Sequence, residues 1–398
     1  MTIFQGLKVL DVGTWIAAPV AATMLADYGA DVIKVERPGR GDDYRRFASF
    51  AISPNAEANY TWLLDAHNKR SLSLNLKSEE GRRILLKLAA QADVYITNQP
   101  PALRRELNLT YDDLKALNPR LIYASLTGYG ESGPERDREA FDLVAYWARS
   151  GLMDLVRAPG ADPAQCLPGM GDHPTAMALY AGIVTALLDR ERTGEGRMVH
   201  TSLMANGVWA ASCIAQARFC GAATAGYQDV HRHFWNRPLY RAADGRWLQF
   251  TMVRTDAEFK RVLRGLEVED WSDDARFATS ESRITHGEAL IERLRARIEA
   301  EPSDHWMARF AETGAPVALV GQIDDLADDP QVAASGLLSP PSDAAEGAQF
   351  IRPPINVEGL DPAPIEKAPE LGEHSAEVLA ELGYGEADIA RFAAQGVI

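Results

Sequence analysis

Residues 7–12 read LKVLDV, residues 15–30 read WIAAPVAATMLADYGA and residues 31–36 read DVIKVE. The first stretch is a short apolar run of strand type. The second carries closely spaced apolar residues with a glycine stop at Gly29, which suits a helix, and the third is a strand again. The pattern then repeats. Residues 71–76 (SLSLNL) are strand-like, residues 78–92 (SEEGRRILLKLAAQA) open with a capping-box pattern at Ser78, and residues 93–98 (DVYITN) form another strand. A short helix at 111–119 (YDDLKALNP) leads into a strand at 120–130 (RLIYASLTGYG). Strands alternating with helices predict an α/β fold with a mostly parallel, doubly wound sheet.

The pattern changes after about residue 140. Residues 141–153 (FDLVAYWARSGLM) and 174–194 (PTAMALYAGIVTALLDRERTG) read as long buried helices, the second ending at Gly194. From Tyr227 to Glu301, short strands (PLYRAADGRWLQFTM) alternate with charged helices, which predicts a smaller central α+β domain. Residues 316–336 look like a strand and helix that return to the larger body. Pro353–Pro369 reads as an extended arm, and residues 374–396 as one closing amphipathic helix. The expected boundaries are a Rossmann-like large domain over 1–200, a small domain over 225–320, and a C-terminal part over 321–398 that rejoins the large one.

With 398 residues, two domains are the natural division. No apolar run reaches the ~18 residues of a membrane span, and no basic leader precedes the first strand, so a cytoplasmic protein is expected. The formal net charge is -15, from 56 acidic and 41 basic residues, which sets nucleic acid aside as a partner. Cys166, Cys213 and Cys220 lack metal-site spacing and read as buried structural thiols.

A strand–helix–strand unit ending in Glu36 invites comparison with a dinucleotide site. The turn argues against it. Residues 12–17 (VGTWIA) contain one glycine where close approach of a pyrophosphate needs three, and Trp15 and Ile16 obstruct that approach.

The stretch richest in chemistry is Gly169-Met170-Gly171-Asp172-His173-Pro174-Thr175-Ala176. Two glycines bring an aspartate to the start of a long helix, and Pro174 suits its first turn. Unpaired N–H groups and the positive end of the macrodipole favour a carboxylate there. Such a carboxylate can attack a thioester carbonyl while neighbouring N–H groups hold the oxyanion. Taken alone, helix capping is the commoner role for an aspartate so placed.

Five ordered blocks carry a resemblance over nearly the whole chain: GLKVLDV…AAPVAATMLADYGADVIKVERPGRGD, NKRSLSLNLKSEEG, LNPRLIYASLTGYGESGP, GDHPTAMALYAGIVTALLDRERTGEGRMV and LGEHSAEVLAELG. They are similar to the class III CoA-transferase family, of the formyl-CoA transferase or carnitine CoA-transferase type. The resemblance implies a CoA-transferase that moves coenzyme A from an acyl-CoA to a carboxylic acid. Asp172 would be the nucleophile of an aspartyl-CoA intermediate, with acyl-CoA as substrate and no permanently bound cofactor or metal. It implies an interlocked homodimer, while the charge and the lack of a long apolar run speak against nucleic-acid and membrane partners.

Other positions follow from the same likeness. Arg37 matches a coenzyme-binding arginine, and Lys69, Arg70, Leu74 and Asn98 lie in matching segments. Ala17 falls where the family's backbone approaches the thioester, while Gly171, read from the residues themselves, leaves room for a ligand's reacting atoms beside the backbone. Asp142 matches an acidic residue near the active site, with an N-cap as its plain alternative. Ile16 stands where the formyl-CoA branch often has glutamine, which removes a side-chain donor. The alternative of the same fold is an α-methylacyl-CoA racemase, which pairs an aspartate with a histidine. That histidine's position is Phe141 here, and phenylalanine carries no proton. His173 beside Asp172 and the segment His231–Arg237 remain open; the latter's aromatic and basic residues suggest a pocket for a larger carboxylate, a dicarboxylate or an aryl or alkyl acid. Its His231 and His233 lack a third metal ligand.

Overall fold

The computed structural model describes residues 2–224, 226–227, 234–340, 347 and 349–398. Two compact units emerge. The first contains residues 1–154, 164–215 and 333–398, and the second contains residues 155–163 and 216–332.

In the first unit, β1 (Lys8–Asp11), β2 (Asp31–Glu36), β3 (Arg70–Ser73), β4 (Val94–Thr97), β5 (Ile122–Thr127) and β6 (Met198–Ser202) form one six-stranded sheet in the order β3-β2-β1-β4-β5-β6. Every pairing is parallel. Strands β4 and β5 are buried throughout (VYIT and IYASLT), as a parallel sheet covered on both faces requires. The strand order reverses at β1, which pairs with β2 on one side and β4 on the other. In such sheets the crevice outside the carboxyl ends of the strands at this switch point is where ligands bind.

Helix α1 (Ala17–Ala26) is buried along its whole length. Its small residues AAPVAATMLA let the helix lie close to the sheet and to the long helix Asp172–Thr193. The Ser78 hydroxyl accepts from the Gly81 N–H at 3.0 Å and so starts the helix Glu79–Ala89. It is a simple cap, not the expected capping box, because the third helical residue is a glycine. A Cβ at Gly81 would lie 2.1 Å from the Asn75 carbonyl oxygen.

Two helical expectations are corrected. Residues 141–153 do not form a long buried helix; they give a short π-helical segment, Leu143–Ala148, and one turn at Leu152–Leu155. Phe141, Leu143 and Val144 remain exposed. The C-terminal stretch forms two helices, Ser375–Glu381 and Glu386–Ala394, interrupted at Gly383, where φ is +85°. The first of these covers the edge strand β3: Ser73 N–H donates to the Ser375 hydroxyl, and His374 N–H to the Ser71 carbonyl. The thiols are also less buried than expected. Cys213 and Cys220 are exposed, and Cys166 is half-buried.

The second unit builds its own core on a three-stranded antiparallel sheet of β7 (Leu239–Arg241), β8 (Trp247–Phe250) and β9 (Val317–Leu319). Trp235, Tyr240, Phe250, Phe259, Trp306 and Phe310 dominate that core. Among the described residues no helix is long and apolar enough to cross a membrane.

Candidate active site

The turn from β1 into α1 is held by carboxylates instead of glycines. Trp15 has φ +63°, a conformation that non-glycine residues adopt only at a cost. Its N–H donates to both oxygens of Asp42, at 3.1 and 3.2 Å. Asp42 is in turn 3.0 Å from Lys34 Nζ, which also donates to the Gly13 carbonyl. Lys69 Nζ completes the buried cluster by donating to Asp11 Oδ2 at 2.9 Å and to the Pro19 carbonyl at 2.7 Å. Buried charges of this kind persist only when each is paired and hydrogen-bonded.

Outside the carboxyl ends of β1 and β4, Thr14 and Asn98 lock the two strand ends together. The Thr14 N–H donates to Asn98 Oδ1 at 2.9 Å, and Asn98 Nδ2 donates back to the Thr14 carbonyl at 2.7 Å. Two cavities open here. The larger, about 730 Å³, is lined by Arg37, Leu74, Lys77, Asn98 and residues 13–15 of the β1–α1 turn. The smaller, about 270 Å³, contains Ala17, Phe141, Asp142 and Asp172. Thr14, Trp15, Asn98, Pro100 and Glu139 line both, so the two form one cleft with a wide and a narrow compartment.

Asp172 is the first residue of the helix Asp172–Thr193, with Gly171 at the cap position. No side-chain hydrogen bond caps that helix. The approach is fixed by Asp142, which is buried. Its Oδ2 accepts from the N–H groups of Gly169 (2.9 Å) and Gly171 (3.2 Å), and its Oδ1 from Leu143 N–H (2.7 Å). The capping role weighed for Asp142 is therefore present at Leu143, together with two further contacts that tie the loop before Asp172. Burial, and then the Asp142 carboxylate, push the Asp172 carboxyl up to about 7, against the opposing pull of His173.

His173 takes part in a second network. Its Nδ1 is 3.0 Å from the Gly169 carbonyl and its Nε2 is 3.1 Å from Asp65 Oδ1; the Tyr44 hydroxyl donates to Asp65 Oδ2 at 2.5 Å. Burial opposes a charged ring, but the Asp65 hydrogen bond and charge outweigh it and raise His173 to about 9. Burial, followed by Asp65, holds the Tyr44 phenol far above its ordinary value. Cys166 is pushed up to about 11 by burial, with Asp142 adding to the shift.

Of the residues singled out in the sequence, Ala17, Arg37, Leu74, Asn98, Asp142 and Asp172 line the cleft, and Gly171 supports it from behind. Arg37 reaches it with an exposed side chain paired to Asp43 at 2.8 Å. Lys69 and Arg70 are not brought there. Lys69 is committed to the buried Asp11 cluster, while Arg70 binds Asp31, Glu377 and Glu381 at 2.7 to 2.8 Å. Both side chains hold the fold. His231, Arg232 and His233 lie outside the described residues. Sequence reasoning missed Tyr44, Asp65 and Asp42. Only Trp15, an aromatic residue inside a strand-to-helix turn, left a local signal.

Comparison with known proteins fits this geometry. The sequence profile described as CoA-transferase family III matches residues 4–375. The chain is 32% identical to the (R)-2-hydroxy-4-methylpentanoate CoA-transferase of Clostridioides difficile, over 98% of both proteins. It is also 32% identical to the cinnamoyl-CoA:phenyllactate CoA-transferase of Clostridium sporogenes, over 97% of this chain and 95% of that one. The solved structure of a CAIB/BAIF family protein from Brucella suis superposes with a TM-score of 0.83 at 29% identity, covering 96% of this chain and 99% of the other. With a profile match over more than nine-tenths of its length and a cleft at the switch point of its parallel sheet, the chain belongs to CoA-transferase family III and is an enzyme of that class.

Proposed function

We propose that this enzyme moves coenzyme A from an acyl-CoA donor to a carboxylic acid acceptor through an aspartyl-CoA thioester on Asp172. The observation that carries this reading is the position of Asp172: a half-buried carboxylate at the start of a helix, on the narrow compartment next to a wide one. The wide compartment takes the coenzyme, with Arg37 and Lys77 facing its phosphates, Asn98 and the 13–15 backbone along the thioester arm, and Leu74 as an apolar wall.

The chemistry needs no net proton transfer. An Asp172 oxygen attacks the thioester carbonyl carbon and the C–S bond breaks, leaving a mixed anhydride and coenzyme A thiolate. The thiolate attacks the Asp172 carbonyl carbon, and the donor acid leaves as its carboxylate. An acceptor carboxylate attacks the aspartyl thioester and expels the thiolate again. The thiolate then attacks the acceptor's acyl carbon and frees Asp172. Asp142 acts as a positioning residue that holds Gly169 and Gly171. The His173 ring offsets the negative charge of Asp65, Asp142 and Asp172 crowded around the reacting carboxylate.

A racemase reading finds no support in Phe141, which has no proton to return. We also propose a homodimer, because Trp209 and Phe219 are 78% and 82% exposed and such side chains favour burial against a partner. Sedimentation at a single mass of two chains would support it, and a monomer would remove it.

The test of the transfer route is intact-protein mass measurement after mixing with acyl-CoAs, followed by hydroxylamine trapping. An adduct at Asp172, lost in Asp172→Ala, is expected. Exchange of a substrate α-proton without any adduct would replace the transferase reading with the racemase one.

A further inference from the structure

The narrow compartment is walled by Trp15, Ile16, Phe47, Phe141, Pro168 and Leu203. Trp15 meets Phe141 edge-on at 5.4 Å and Phe47 edge-on at 6.2 Å, so three rings form one surface facing the Asp172 end of the cleft. Phe141 is 57% exposed and presents an apolar face on this wall. The cations on this wall already have partners. Arg138 binds Glu135 at 2.6 Å and lies over the Tyr129 ring; Arg136 is 3.4 Å from Asp137. Glu139 adds a negative charge to the same wall.

We infer that the acyl group transferred at Asp172 is an apolar monocarboxylate, branched or aryl, and that dicarboxylates are turned away. The inference rests on the transferase reading and adds the substrate class. Three rings and the Ile16 and Leu203 side chains match a branched or aromatic acyl chain in shape and polarity. A second carboxylate would lose its water with no uncommitted cation to meet it among the described lining residues, and it would face Glu139.

The test uses full-length protein and four thioesters: 4-methylpentanoyl-CoA, 3-phenylpropanoyl-CoA, succinyl-CoA and glutaryl-CoA. Calorimetric titration of the Asp172→Asn variant reads binding without turnover; hydroxylamine-dependent coenzyme A release by the wild type reads acylation. The two apolar esters are expected to bind at least about tenfold more tightly than the two diacid esters, the scale on which an apolar pocket discriminates. Adding Phe141→Arg should reverse that order. Equal binding, or tighter binding of succinyl-CoA or glutaryl-CoA, overturns the inference and leaves the transferase route standing if acylation is seen. Apolar-selective binding with no acylation by any of the four upholds the acyl class and removes the aspartyl route instead.

Discussion

The His173 ring is held between two acceptors: Asp65 Oδ1 lies 3.1 Å from Nε2, and the Gly169 carbonyl oxygen lies 3.0 Å from Nδ1. A carbonyl oxygen and an ionised carboxylate accept and do not donate, so this arrangement favours a proton on each ring nitrogen. The two acceptors and the raised pKa together support an imidazolium directly after the proposed nucleophile. The groups facing it are Asp65, Asp172 and the Gly169 carbonyl, with Tyr44 behind Asp65 and Asp142 beyond Asp172.

Long-range proton–nitrogen spectra should therefore show His173 doubly protonated at pH 7.5, and a neutral tautomer would contradict the assignment. The ring is raised to about 9, above the ordinary 6.5. Its stabilising contribution is thus complete below about pH 6.5 and lost as pH rises through about 9. Asp65→Asn should bring the titration down by at least ~1 unit, since each unit reflects about 1.4 kcal/mol of differential interaction.

Asp172 shifts stability with pH in the same direction, over a lower range. Its carboxyl is raised from the ordinary carboxylate range to about 7, so the folded state prefers it protonated. The stability gained is full at low pH and disappears as pH rises through about 7. Asp172→Asn should then raise the melting temperature at pH 8 and change it little at pH 4. The expected gain is roughly 1–2 kcal/mol once solvent access to the cleft is allowed for. Acylation, which needs the ionised carboxylate, should climb through about pH 7 in the wild type.

Asp142 serves three N–H groups with two oxygens. Asparagine has one acceptor oxygen and would turn an NH₂ toward donors. Asp142→Asn should lower the acylation rate about 10²-fold through misplacement of Asp172, with coenzyme A affinity little changed. Stopped-flow release of coenzyme A measures the first, calorimetry the second.

Gly171 is constrained by space, with φ at -98°. A Cβ there would lie 2.7 Å from Tyr146 Cγ and 2.9 Å from Asp142 Cβ. Gly171→Ala should cost about 1–3 kcal/mol in urea unfolding, the usual penalty for overpacking. It should also slow acylation, because the displaced groups position the helix start.

Lys69 is expected to act on folding alone. Lys69→Met leaves Asp11 with Lys34 at 3.6 Å and removes its closer partner. A loss of about 3 kcal/mol is expected, without selective weakening of coenzyme A binding. A large rise in the coenzyme's KM in a stable Lys69→Met protein would return this residue to the site.

Much of the sheet was readable from local pattern. LKVLDV, DVIKVE and DVYITN each bury a short apolar strand, and the helices between them force parallel pairing. Where patterns failed, tertiary context decided. Residues 141–153 have apolar content enough for a helix, yet Asp142 is drawn to Gly169 and Gly171, and the chain winds as a short π-helical segment. Lys69 and Arg70 looked like coenzyme ligands because a sequence shows charge without showing its partner. The acids that claim Arg70 include Glu377 and Glu381, which lie over 300 residues away.

The sequence by itself determined the alternation of strands and helices, the ordered blocks that place the chain in its family, and an aspartate between glycines and a helix. These are local properties, set by periodicity, turn chemistry and backbone freedom within a few residues. Only the tertiary structure decided which charges meet: Asp65 with His173 across 108 positions, and Asp142 with Gly169 across 27. Coulombic and hydrogen-bond energies depend on distances of a few ångströms and on exclusion of water, and both exist only once the chain has packed.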